Sequence, residues 1–173
     1  MTLSDAQHEL LHVVGAAIAA TMADIPLDQV KLHVLDGPQV AFELDGSKSR
    51  LDWLHGVAAV APIALEPESK MRKTLVDRKI KNAACLSDND RAAIQRGNPS
   101  NDEMVTTVLA AHLHGVSAKA AEAFMKLAEI DHDPIRLSDL LDEKRVRSAI
   151  KAAKANQYAL DLNKRFERGE AHA

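Results

Sequence analysis

Apolar positions near the start of the chain recur at helical spacing. Leu10, Val14, Ala17, Ile18 and Thr21 fall on one face, and Gly15, Ala16, Ala19, Ala20 and Ala23 cover much of the remainder. Ser4 with Gln7 has the form of a capping box, so a helix is predicted over about residues 5–23, ended by Ile25-Pro26. So many small side chains would let a second helix lie close. On this wheel His8 and His12 sit about 150° from the apolar stripe, where a solvated surface or an open cleft would place them.

The period then changes to two. Residues 30–35 and 40–44 alternate as two short strands joined through Asp36-Gly37-Pro38-Gln39, with Asp45-Gly46 closing the second. This hairpin is the only β-structure the pattern predicts, and a two-stranded hairpin needs a helix or a partner to pack on. A helix over residues 50–60 should stop before Pro62, and residues 61–67, with two prolines, read as an extended connector. Beyond it the pattern is helical throughout. Helices are expected from residue 67 or 68 to 84, from a Ser87/Asp90 cap to Gly97, over 102–114 and over 117–130. After the Asp131-His132-Asp133-Pro134 breaker, Ser138 should open a long last helix toward Arg168. The expected fold is mainly α, of the α+β class: an irregular helical bundle with one N-terminal β-hairpin.

Composition narrows this picture. An apolar fraction of 46% with 27% charged residues is that of a globular chain. Phe42, Trp53, Phe124, Tyr158 and Phe166 are the aromatics, so aliphatic side chains and alanine must build the core. The single cysteine, Cys85, excludes an intramolecular disulfide and a cysteine-based zinc site, and reads as a small apolar residue. The apolar stretch over residues 13–23 is too short to span a bilayer, and no targeting segment is evident, so the expected setting is the cytoplasm with no membrane. Charge is divided unevenly. Residues 1–69 hold ten acids and three bases, net −7, whereas residues 70–173 hold nineteen bases and fifteen acids, net +4. The chain is therefore expected to have an acidic helix–hairpin–helix portion, 1–65, and a basic all-helical portion, 66–173, within one compact unit.

Three features carry candidate chemistry. His8-Glu9-Leu10-Leu11-His12 resembles the H-E-x-x-H motif of zinc metallopeptidases. The resemblance implies that His8 and His12, one turn apart, share a zinc ion and that Glu9 activates the bound water, with a third ligand from His112, His114 or a distant acid. It covers five to eight residues, and the next histidine of the extended motif falls at Ile18. The plainer reading is two exposed histidines and a glutamate that suits the helix dipole. Residues 109–117, with Ala111, Gly115 and Ser117, resemble a helix-turn-helix, but a plain helical hairpin needs the same residues. The supposed recognition helix lacks Arg, Asn and Gln for base edges.

The basic stretches are broader. Lys70, Arg72, Lys73, Arg78 and Lys79 crowd one segment, and Lys144, Arg145, Arg147, Lys151 and Lys154 dominate the start of the last helix. The favoured expectation is a small intracellular binding or regulatory protein, without a cofactor, whose basic half contacts an anionic protein or nucleic acid. The alternatives are a zinc-dependent hydrolase on His8, Glu9 and His12, and an oligomeric adaptor that self-associates through the Ala-rich first helix and the hairpin edge. No nucleophile triad, phosphate loop or dinucleotide fingerprint is present, so an enzyme is not the favoured reading.

Overall fold

The computed structural model describes residues 5–35, 40–64, 88–97, 101–113 and 134–167, with isolated positions between 115 and 125. Its described elements are mostly helical, with one small antiparallel sheet, as the α+β expectation requires. Helix α1 is Asp5–Met22. It stops in a Schellman arrangement: Asp24 takes a left-handed φ of 54°, Asp24 N–H donates to Thr21 O at 3.3 Å, and Ile25 N–H reaches back to Ala20 O at 2.8 Å. An aspartate thus does what a glycine usually does, one residue earlier than the Ile25-Pro26 signal.

A short 3-10 turn, Leu27–Gln29, leads into β1 (Val30–Val34), which pairs antiparallel with β2 (Val40–Leu44), Val30 opposite Leu44 and Val34 opposite Val40. The alternation sorts side chains as expected. Leu32 and Phe42 are buried, while His33 and Lys31 reach Glu43 on the solvent face at 2.7 and 3.5 Å. The hairpin is not the whole sheet. Ile135–Arg136 forms β3 and pairs antiparallel with β1, giving the order β2-β1-β3. Two residues carry no periodicity that a sequence pattern could register.

Helix α2, Lys48–Ala64, corrects the expected stop before Pro62: the proline lies inside its last turn. A proline there removes one backbone bond, and the helix continues because Val57 to Ala61 and Ala64 are all buried. Residues 61–64 are therefore helix rather than connector. The rest of that stretch, the expected helix to residue 84, Cys85 and the basic residues Lys70, Arg72, Lys73, Arg78 and Lys79 lie outside the described residues. Helices α3 (Asp88–Gly97) and α4 (Asn101–Leu113) follow.

The expected final helix is divided. Leu137–Leu140 is one turn, α5; Leu141 is extended, and α6 runs Glu143–Glu167. Its N-cap is Asp142, not Ser138: Asp142 Oδ1 accepts from Lys144 N–H at 2.9 Å and Arg145 N–H at 3.2 Å.

Helix α1 is the centre of the molecule. Every residue from Leu11 to Thr21 is buried, so it has no solvent face over that span. A Cβ on Gly15 would lie 2.6 Å from Ala58 Cα and 2.8 Å from Ala61 Cβ, which is the close helix–helix approach its small residues predict. Helix α3 crosses α2 as tightly, since a Cβ on Gly97 would meet Asp52 O at 2.6 Å. Helix α6 packs on α4 and α1. One core joins Ile18, Leu32 and Leu54 to Met104, Leu137 and Ile150. No helix among the described residues is long and apolar enough to cross a membrane.

Candidate metal centre

The first turns of α1 point His8 and His12 the same way, with ring centroids 4.9 Å apart. Neither is the exposed residue the helical wheel suggests: His8 is half-buried, and the His12 side chain is only 10% exposed. The wheel misplaces them because α1 is covered on all sides rather than along one stripe.

The third group comes from α3. Its tight crossing on α2 fixes where its first turn lies, and Arg96 Nε holds Asp52 Oδ1 at 3.3 Å near its other end. Within that first turn Asp88 stays 98% exposed and pairs with Arg91, whereas Asp90 turns inward and is 14% exposed. Asp90 Oδ1 lies 3.7 Å from His12 Nε2. One ligand atom from each of His8, His12 and Asp90 falls within 4.8 Å of the others. Ligands on a tetrahedral metal at its usual bond lengths are about 3.4 Å apart, so a small closure of the triad suffices.

Electrostatics favour a ligand over a surface histidine. Burial pushes His12 below its ordinary 6.5; the carboxylates of Asp90 and Glu9 oppose that shift, and His8 and His55 add to it. His12 is accordingly poised to be neutral near pH 7, as a metal ligand must be. Its Nε2 is buried without a hydrogen-bond partner among the described residues, an arrangement that costs about 1–3 kcal/mol unless something else satisfies the atom.

Glu9 lies beside the triad without joining it. Its Oε2 accepts the Val40 N–H at 3.3 Å, and its Oε1 lies 4.0 Å from His8 Nδ1. One carboxylate thus stands between the first helix and the outer edge of β2. From α2, His55 hydrogen-bonds to the Phe42 backbone and packs edge-on to the Phe42 ring at 5.4 Å. Burial lowers His55 as well, against the raising effect of that hydrogen bond.

Comparison with family models, curated proteins and solved structures finds no match to this chain. The site has to be read from its own geometry.

The other candidates are scattered by comparison. His112 is exposed at the end of α4, and neither it nor any other described histidine joins the triad. Gly115 has a φ of +83°, as a turn glycine should, and Lys119 lies 3.8 Å from Glu122. Of the other residues in the helix-turn-helix resemblance, Ala111 is buried on α4, and Ser117 lies outside the described residues, as does His114. On α6, Lys144, Arg145, Lys151 and Lys154 are exposed, and Arg147 is exposed and paired with Glu143 at 2.7 Å. Asp90 and His55 are the residues that sequence reasoning missed. Asp90 carried a competing explanation as the partner of a Ser87 cap, and nothing in the spacing tied it to α1.

Proposed function

We propose that this chain is a metal-binding protein whose first helix and α3 together hold one divalent transition-metal ion. Two imidazoles and one carboxylate make zinc the best chemical match, with a fourth position for water or another ligand. The observation that carries this reading is the convergence of His8, His12 and Asp90 from distant parts of the chain. A hydrolase that uses Glu9 as general base has less support, because one Glu9 oxygen is engaged by the Val40 amide and the other faces His8. Titration of the metal-free protein with zinc tests the proposal. About one equivalent should bind, and His12→Ala should abolish it; a wild-type protein that takes up no zinc would refute the reading.

A second reading concerns α6 and has its own observation. Lys144, Arg147, Lys151 and Lys154 share one solvent face, opposite the buried Val146, Ala149, Ile150 and Ala153. Such a row suits a polyanion such as the phosphate backbone of a nucleic acid. The self-association reading loses its expected surfaces, because α1 is buried in the chain's own core and the Glu9 and His55 side chains engage the outer edge of β2.

A further inference from the structure

We infer that Glu9 is a positioning residue rather than a catalytic one. In this role its carboxylate is shared between the His8 imidazole and the Val40 amide, so that metal occupancy and the outer edge of the hairpin stabilise each other. The inference rests on the metal reading above and adds to it a role for the glutamate and a link to the sheet.

The argument begins with the two oxygens. Glu9 Oε1 lies 4.0 Å from His8 Nδ1, an ion-pair distance rather than a hydrogen bond, and Oε2 accepts from Val40 N–H at 3.3 Å. Glu9 is not part of the ligand triad. If Nδ1 of His8 faces the carboxylate, its other nitrogen, Nε2, is the one left to bind metal, and Nε2 is a buried atom. Metal-bound imidazoles characteristically donate their second N–H to a carboxylate, which fixes the ring and its tautomer.

The remaining oxygen has a distinct task. In the sheet order β2-β1-β3, β2 has a partner strand on one side only among the described residues. An unpaired edge presents backbone groups that must be capped or covered. Val40 and Phe42, two residues apart, point their backbone groups to the same side of an extended strand. Glu9 satisfies the first, and His55 hydrogen-bonds to the second. A metal on His8 would polarise its ring and draw Nδ1–H toward Glu9 Oε1, turning the 4.0 Å contact into a hydrogen bond. The carboxylate is then held where it also accepts from Val40, since hydrogen bonds in series reinforce one another. Reciprocity follows: whatever factor the metal contributes to the Val40 bond, that bond contributes to the metal.

The test uses the full chain with zinc as the probe and three readouts. Glu9→Gln keeps an oxygen for Val40 but loses the charge, and should weaken zinc binding about 10- to 100-fold. In the wild type, zinc should slow amide exchange at Val40 by the factor that the Val40 bond contributes to zinc affinity, and in Glu9→Gln that slowing should largely vanish. Nitrogen NMR of the zinc-loaded wild type, which needs no variant to fold, should show His8 protonated at Nδ1 and bound through Nε2. Equal zinc affinity in wild type and Glu9→Gln, unchanged exchange at Val40, or His8 bound through Nδ1 would each overturn the inference while leaving metal binding intact. A wild type that binds no zinc would instead overturn the metal reading itself.

Discussion

Helices α1 and α6 handle polar side chains in opposite ways. On α1 the polar groups are few, buried or half-buried, and convergent: His8, Glu9 and His12 turn toward α3 and β2. On α6 they are many, exposed and directed outward, with Asp142 capping the start and Glu143 holding Arg147. Charge counting draws attention to α6, whereas burial draws it to α1. A buried histidine with a carboxylate beside it needs a physical explanation, because leaving it unsatisfied is costly. A solvated lysine row does not, since water already satisfies it. That is why the metal centre, and not the basic face, carries the leading proposal.

The sharpest way to break the contrast is to disturb the packing that buries α1. Gly15→Val should destabilise the protein by at least about 3 kcal/mol, because the added atoms meet backbone and Cβ atoms of α2 that cannot swing aside. Urea denaturation would measure it, and a loss below 1 kcal/mol, the scale of a surface change, would contradict the close approach. Acidification probes the same region more gently. With His12 held below 6.5 by burial, the unfolded chain takes up a proton there before the native chain does. Stability of the metal-free protein is therefore fully present above pH 6.5 and falls as the pH drops through 6.5 toward the native value. His12→Phe should make that decline shallower, leaving the share due to His55, whose shift has the same direction.

On α6 the same kind of change should leave stability alone. Lys151→Glu with Lys154→Glu should alter it by no more than about 0.5 kcal/mol. If the row binds nucleic acid through about four phosphates, affinity should follow salt with a log–log slope of about −3.6, a drop of about 100-fold between 50 and 200 mM salt. The double variant should lower that slope by about half, and an unchanged slope would place the contacts elsewhere. Arg96→Ala should likewise cost little stability, since its half-exposed pair with Asp52 should contribute under about 1 kcal/mol.

What could be read from the sequence was what depends on neighbours along the chain. Alternation in Val30–Val34 and Val40–Leu44 placed the hairpin, and the small residues around Gly15 anticipated a close helix. Features decided by distant parts of the chain were not legible. Pro62 should have ended α2, but burial on either side of it carried the helix on to Ala64. Ile135–Arg136 gains strand geometry only by lying beside β1. His12 looked exposed because a wheel assumes one covered face, and α1 is covered on all of them. Two of the three candidate ligands were visible as the His8/His12 pair; Asp90 was not, because the α2–α3 packing brings it there and no local spacing records it.

Asp90 is consequently the residue on which the account stands or falls, and Asp88 in the same helix turn is its natural control. Calorimetric zinc titrations of Asp90→Ala and Asp88→Ala, side by side with wild type, make the comparison. The account predicts that Asp90→Ala weakens zinc binding by more than about 100-fold, beyond the loss typical of an outer-shell group. Asp88→Ala, which removes a carboxylate 98% exposed to solvent, should match the wild type. Equal affinity in all three proteins would contradict the assignment of the third ligand, and with it the metal centre proposed between α1 and α3.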